Sequence, residues 1–470
     1  MKLAFAAHHE GRHAEAEALC RLLLPGNPAD AQLLYLLGMI LHKAGRDAEA
    51  ADHLQRAAAL QPAAAHIFSG VGCAQRGLGD WAGARQSFAR ATELEPRNGD
   101  HFYHLGLAEH ALGQLERALA AFQKAVELNP RDFMSWNNLG KIFQQFNRLD
   151  ESLAAYDHAL KISPDYELAK TGRAILLLTA GRLGEGFREF ESPWKQNRPR
   201  IFARPRWRGE SVAGQTVFIH AERGFGDGIH FARFVPAVRE RAARVILECR
   251  PELKSLFVLS DCAGEVVAFG EPVPAFDVFT SLMSLPGLLG ITENSIPGRV
   301  PYLRAPPASN LPPAKNGNLK VGFAWAGSAA HPDDASRSMP LELFAPILQT
   351  PGVTFYSLQL PVPERDKPFF QSLPALVDLS PALNDYLATA TFMAQLDLVI
   401  AVDTSVVHLA GALAMPVWTL TQFDADWRWF LDRSDTPWYP TMRLFRQTQR
   451  GQWPPVVARV AEALRRRATG

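Results

Sequence analysis

Pro28, Pro62, Pro96, Pro130 and Pro164 recur every 34 residues without a slip. A fixed period of that length marks a stacked helix-turn-helix array, in which no single unit can bury its apolar face alone. Internal positions keep the period. Counting from Ala31 as position 1, position 8 reads Gly38, Gly72, Gly106, Gly140 and then Ala174, the small residues that a close helix crossing demands. Position 24 reads Leu54, Phe88, Phe122, Tyr156 and Phe190, and position 27 reads Ala57, Ala91, Ala125 and Ala159. Position 4 reads Leu34, Phe68, Phe102 and Trp136, bulky groups expected to fill the space between paired helices. Gly11, Gly45, Gly79, Gly113 and Gly181, with Asn147 once, fall where the first helices end and a left-handed residue is favoured. Each proline stands just past a second helix.

The pattern is that of tetratricopeptide repeats. Four full repeats occupy 31–64, 65–98, 99–132 and 133–166, with a truncated unit before them and a degenerate one after, giving a solenoid over 1–191. In the last unit Lys170 and Arg173 replace apolar positions, which suits a cap or a junction with a following domain. A solenoid offers a long binding wall and no catalytic cleft, so its expected work is to hold a protein partner. Positions 2, 5, 9 and 12 face that wall and include Tyr35, His66, Tyr103, His110, Asn137, Lys141 and Gln144, with Asn138 beside them. This polar and aromatic surface suits hydrogen bonding to an extended backbone, with self-association as the competing use.

Composition narrows the rest. With 49 basic and 48 acidic residues the net charge is +1, which argues against a nucleic-acid binder. No stretch approaches the roughly 20 apolar residues of a membrane span. The apolar start at 3–7 runs at once into His8, His9 and Glu10, unlike a signal peptide. Cys20, Cys73, Cys249 and Cys262 are scattered, so neither a disulfide framework nor a zinc site is expected. A cytoplasmic location is the expectation.

At 192–215 Pro193, Pro199 and Pro205 alternate with Lys195, Arg198, Arg200, Arg204, Arg206 and Arg208, a basic linker with two packing tryptophans, Trp194 and Trp207. From 216 apolar strands alternate with helices, the pattern of parallel sheets. The first half, 216–296, reads as strands at 217–220, 244–249, 266–269 and 276–280, with a helix over 229–243. A proline-rich hinge covers 297–318. The second half, 319–470, carries strands at 319–325, 353–359, 396–402 and 417–420 and closes with an amphipathic helix over 453–467. The fold class is thus an α-solenoid followed by two Rossmann-like α/β halves.

Six motifs, in order, carry a family likeness: His220-Ala-Glu-Arg-Gly-Phe-Gly-Asp227 with Phe231-Ala-Arg-Phe234; Val321-Gly-Phe-Ala-Trp-Ala-Gly-Ser328; Arg337-Ser-Met-Pro340; Asp403-Thr-Ser-Val-Val-His408; Asp426-Trp-Arg-Trp429; and Pro437-Trp-Tyr-Pro440. Over about 200–465 the chain resembles the tetratricopeptide-linked bacterial relatives of the heptosyltransferases, glycosyltransferase family nine, whose two halves form a GT-B module. Flagellin glycosyltransferases of this build are the nearest functional precedent. The resemblance implies metal-independent, inverting transfer of a sugar from a nucleotide-sugar donor, with no further cofactor, to a hydroxyl. Flagellin or another protein held by the repeats is the implied acceptor. An envelope or lipid-linked saccharide is the second reading, and a non-catalytic scaffold the third.

Candidate residues follow. Asp227 sits in a turn where Gly224, Gly226 and Gly228 are expected to let the backbone fold sharply. A carboxylate there can take the acceptor proton, and the resemblance assigns it that role; capping the next helix is the competing role. His230, one turn on, is the second candidate base. Gly224 and Gly226 with Glu248 imitate a dinucleotide fingerprint, but Ile229 stands where its third glycine belongs. In the second half Asp403 ends a strand, and Thr404 and Ser405 open a helix whose N-terminus suits a diphosphate. The resemblance adds His408 at the phosphate or ribose, with Ser328, Arg337 and Gln359 on the donor side. A surface ion pair is the competing role for Arg337. Asp424 and Asp426 fall beyond the last expected strand, and no metal site is expected. Trp427, Trp429, Trp438 and Tyr439 read as packing between the halves.

Overall fold

The computed structural model describes residues 1–190, 200, 202–221, 224–308, 310–331, 334–373 and 375–469. Contacts divide the chain into two compact units, Met1–Gly172 and Arg173–Gly470.

The first unit is built of antiparallel helix pairs. Its full repeats place helices at Ala31–Lys43 and Asp47–Leu60, Ala65–Gly77 and Trp81–Leu94, Gly99–Ala111 and Leu115–Leu128, and Phe133–Gln145 and Leu149–Ile162. Each second helix stops two residues before its proline, because a proline ring in the helix would clash with the preceding turn. Gly11, Gly45, Gly79 and Gly113 hold φ between 72° and 78°, and Asn147 reaches 56°. Position 8 explains itself against position 24. A Cβ on Gly72, Gly106 or Gly140 would come within 2.6, 2.7 and 2.8 Å of the ring of Phe88, Phe122 and Tyr156 respectively, all buried. At position 4 Leu34 is buried and Phe68 and Trp136 pack half-buried against the repeat cores, while position 3 is buried throughout, at Leu33, Ile67, His101, Ser135 and Ala169. The filling expected of position 4 is thus shared with position 3. A shift of one position rotates a helix by about 100°, enough to move a side chain from the core to the rim.

The second unit begins with the rest of the helix Glu167–Thr179 and with Leu183–Glu189. Leu178, Leu183, Phe187 and Phe190 join one core with Trp427 and Trp438, so the degenerate last repeat packs with the α/β region instead of ending at a boundary near 191. Of the basic linker, 192–199 and 201 lie outside the described residues. Its remainder is built in: Trp207 is buried, and backbone bonds link Trp207 N–H to Phe279 and Phe279 N–H to Pro205, at 2.8 and 3.2 Å.

Two parallel sheets follow. The first holds β1 (Thr216–His220), β2 (Arg244–Cys249), β3 (Glu265–Ala268) and β4 (Val278–Ser281) in the order β3-β2-β1-β4. The second holds β5 (Leu319–Ala324), β6 (Val353–Ser357), β7 (Val377–Asp378), β8 (Leu398–Val402), β9 (Val417–Thr421) and β10 (Met442–Arg446) in the order β10-β9-β8-β5-β6-β7. That is the doubly wound order, reversing between β5 and β8. The expected helix over 229–243 is broken into Phe225–Phe231, a tight turn at Ala232–Phe234 and Val235–Arg239. Pro236 stops one continuous hydrogen-bond ladder there. Along β1 alternation sends Val217 and Ile219 into the core shared by both halves and Phe218 to the opposite face with Phe202, Phe276 and Phe279. The hinge is a strap: Leu303 is buried, and Tyr302 and Leu303 donate backbone bonds to Ala412.

Candidate functional site

Loops at the C-terminal strand edge, where a doubly wound sheet reverses, are its ligand crevice. In the first half β1 leads to Gly224 and the Phe225–Phe231 helix, with Asp227 as its third residue. In the second half β5 leads to Ser328 and the short Asp334–Arg337 helix, and β8 leads to Asp403, Thr404 and the Ser405–Ala412 helix. The Phe225–Phe231 and Ser405–Ala412 helices meet with almost no space between them. A Cβ on Gly226 would stand 2.9 Å from His408 Cδ2 and 3.7 Å from Ser405 Cα. One on Gly228 would stand 2.9 Å from Leu253 Cδ1, and one on Gly224 would collide with the Asp227 carboxylate. None of these three glycines has positive φ. They permit close approach, not the sharp turn expected.

This contact brings Asp227 against the second half. Arg428, 5 % exposed, donates Nη2–H to Asp227 Oδ1 at 2.6 Å and Nη1–H to Asp426 Oδ1 at 2.9 Å, and its guanidinium lies over the Trp427 ring at 4.4 Å. Asp227 keeps about a third of its side chain exposed. The surrounding protein pushes its carboxyl up from the ordinary value and Arg428 opposes, while Asp426 adds to the rise. Asp403 is pushed up to about 6, by burial first and then by the charge of Asp426, with Arg337 and Arg428 opposing. Three carboxylates and two guanidiniums from both halves thus share one small volume.

Thr404 caps its helix, its Oγ1 accepting from Val406 N–H at 3.3 Å. Val407 N–H bonds back to Thr404 O, so two first-turn donors are spent within the chain. Ser405 Oγ accepts from Tyr386 Oη at 2.6 Å. Ser328 is exposed, and Arg337 faces Asp334 at 3.5 Å. Gln359 departs from its expected donor-side role. It is buried, its Oε1 accepting from Trp325 and Ala326 N–H and its Nε2 donating to Pro361 O, so the amide braces the end of β5. His408 departs too: the turn that follows Ser405 aims it at the bare backbone of Gly226, where it is 5 % exposed and stacked on Trp429 at 5.2 Å. His230 is wholly buried. Tyr439 Oη bridges the two imidazoles, 3.1 Å from His230 Nδ1 and 3.0 Å from His408 Nδ1. Burial and nearby arginines hold both rings well below the ordinary histidine value, so they are neutral. With Trp427, Trp429 and Trp438, all buried, this cluster packs the halves together as read. No group of His, Cys, Asp or Glu among the described residues is placed to hold a metal.

Arg428 is the residue that sequence reasoning missed, although it stands inside a quoted motif. Its partner lies 201 residues away, and the flanking tryptophans pointed to packing. Tyr439, read only as packing, and Tyr302, whose Oη donates to Ile229 O at 3.1 Å, were likewise visible only in three dimensions.

Along the first helices of the repeats, Tyr35 packs edge-on against His66 at 4.9 Å, Tyr103 Oη reaches Met134 Sδ at 3.9 Å, and His110 Nε2 bonds Gln145 at 3.0 Å. His66 and Lys141 are exposed, and Asn137 and Gln144 half-buried. Asn138 is committed to Met134 O of its own helix at 2.8 Å.

A tetratricopeptide-repeat family model matches residues 23–65, 72–133 and 111–167. These are tetratricopeptide repeats. The chain is also 30% identical over 340 residues to Protein FlbA of Caulobacter vibrioides, covering 64% of this chain and 55% of that protein. The chain therefore spans about half the length of this relative. A share of 64% exceeds the solenoid, so the likeness reaches into the α/β region. Among solved structures, a tetratricopeptide-repeat protein of Thermus thermophilus is 25% identical, covering 38% of this chain and 97% of that one, with a TM-score of 0.32. MamA of Desulfovibrio magneticus is 20% identical, covering 35% and 93%, also at 0.32. No helix among the described residues is long and apolar enough to cross a membrane.

Proposed function

We propose that the chain is a glycosyltransferase whose α/β module, built as a GT-B pair, moves a sugar from a nucleotide-sugar donor to a hydroxyl of a protein held by the repeats. Flagellin is the acceptor suggested by the resemblance. The observation that supports this most is the convergence of Asp227, from the crevice of one parallel sheet, with Arg428, Asp426, Asp403 and Arg337, from the crevice of the other. Transfer needs a base for the acceptor proton, and a carboxylate raised above its ordinary range is better matched to that task at neutral pH. It also needs cations for the departing diphosphate, and Arg337 and Arg428 supply them. The polar and aromatic face of the repeats supports a polypeptide acceptor over a saccharide.

The test uses the purified chain with a panel of labelled nucleotide sugars and a cell lysate. Label on protein that disappears when residues 1–172 are removed, together with an Asp227→Ala variant that binds nucleotide but transfers nothing, supports the reading. Label on glycolipid that survives the truncation replaces it with the envelope-saccharide reading. Undiminished transfer by Asp227→Ala refutes the assignment of the base.

A further inference from the structure

Arg428 is held in an arrangement that leaves its bonding incomplete. Its fork is spread over two separate carboxylates, Asp227 and Asp426, instead of closing on one anion in the bidentate geometry that a guanidinium favours. Its Nε–H is buried and has no acceptor among the described residues. A buried donor without a partner is costly, and phosphate oxygens match the guanidinium fork. Asp227, for its part, has Oδ1 occupied by Arg428 Nη2–H. A carboxylate so paired is a poorer proton acceptor than one released.

We propose that Arg428 is a positioning residue that restrains Asp227 in an ion pair until the diphosphate of a bound donor takes over the guanidinium, so that the base is freed only when there is a sugar to transfer. This rests on the transferase reading above. The exchange is non-covalent: the Nη2–H contact to Asp227 Oδ1 is replaced by one to a phosphate oxygen, and Asp227 stays an anion. In the step that follows, the acceptor O–H gives its proton to Asp227 as its oxygen bonds to the anomeric carbon. The bond from that carbon to the diphosphate oxygen breaks, and its electron pair leaves on the diphosphate that Arg428 now faces. Among the described residues, the charged and titratable groups that act on Asp227 are Arg428, Asp426 and His331. Loss of Arg428 removes the largest influence that favours the anion and leaves burial and Asp426, which favour the protonated form, opposed only by the weaker pull of His331, so release also strengthens the base. Donor-independent proton abstraction is thereby suppressed, and donor binds before acceptor.

The experiment uses the intact chain. Binding of UDP, GDP, ADP, CDP, dTDP and pyrophosphate is measured by calorimetry. Carboxylates are then labelled with a carbodiimide and an amine, and the Asp227 peptide is quantified by mass spectrometry against the fully exposed Asp165. A bound diphosphate should raise labelling of Asp227 about threefold or more and leave Asp165 unchanged. In Arg428→Lys, which keeps the charge but not the fork, Asp227 should label strongly with or without nucleotide. Should that variant misfold, Asp426→Asn serves instead: Arg428 then closes on Asp227, so basal labelling falls and the nucleotide-dependent rise grows. Diphosphate binding with flat or reduced Asp227 labelling overturns the exchange while sparing the transferase reading. If no diphosphate of the panel binds, both fall.

Discussion

Gly226 and Gly228 make a matched pair for testing how the two α/β halves meet. Both lie on the Phe225–Phe231 helix, both have ordinary negative φ, and a Cβ on either would first meet another atom at 2.9 Å. Carbon atoms pack best at about 3.5–4.0 Å, so each alanine lacks roughly 0.6–1 Å of clearance. The difference is in what must yield. Gly228 meets the Cδ1 tip of Leu253, which a small χ rotation withdraws. Gly226 meets the His408 ring, pinned by Trp429 and Tyr439, with the Ser405 backbone behind it. Overpacking a site that cannot relax costs about 1–3 kcal/mol, against a helix-propensity gain of up to about 1 kcal/mol for Gly→Ala. Gly226→Ala should therefore destabilise the second unit by about 1–2 kcal/mol, and Gly228→Ala should stay within about 0.5 kcal/mol of neutral. Urea unfolding of each variant, followed by tryptophan fluorescence, reads this directly, since most of the tryptophans lie in this unit. Equal shifts for the two variants would refute the claim that the helix contact at Gly226 is rigid.

Three further outcomes follow. Asp403 has a folded pKa near 6 against an ordinary 3.8, so its contribution to stability is full below pH about 4 and is lost as pH rises through 6. Asp403→Asn should flatten the stability profile between pH 4 and 7 and stabilise at pH 8, by at most about 3 kcal/mol at 1.36 kcal/mol per pH unit; unchanged slopes in urea melts would count against it. Tyr439→Phe strips the hydroxyl from His230 Nδ1 and His408 Nδ1 and should cost about 2–3 kcal/mol with no change in the repeat unit, as proteolysis of the two units would show. Ser152→Ala removes a buried bond to Gly140 O at 2.7 Å and should cost about 1 kcal/mol, visible as earlier hydrogen exchange in the Phe133–Gln145 and Leu149–Ile162 helices.

The repeats were legible because each carries its own punctuation. The proline after the second helix and the left-handed glycine after the first are local requirements that any reader of one strand of sequence can check. The burial at position 3 was not legible, because periodicity fixes the pitch of an apolar stripe more firmly than its rotation. Most strands were legible from apolar runs, but two at the sheet's outer edges were not. Val377–Asp378 is too short to show a pattern, and Arg443 and Arg446 interrupt Met442–Arg446. In the site, Asp227 and Asp403 could be found because they follow strands. The roles of Gly226, His408 and Gln359 could not, since each depends on which atoms of a distant segment press against it. Arg428 shows the same limit most plainly: nothing near it in sequence says that its partner is an aspartate in the other half.

The glycine at position 8 of each full repeat is matched to a bulky group sixteen residues later in that same repeat, as Gly106 is to Phe122. The fit within a helix pair is thus settled inside each unit, while the same bulky groups also meet small residues of the next one, as Leu54 does Gly70 and Tyr156 does Gly172. Whole units can then be gained or lost by duplication or deletion of 34-residue blocks without the crossing inside a unit having to be redesigned. The length of the array becomes a quantity that evolution, or an engineer, can change in whole steps while the α/β unit stays as it is.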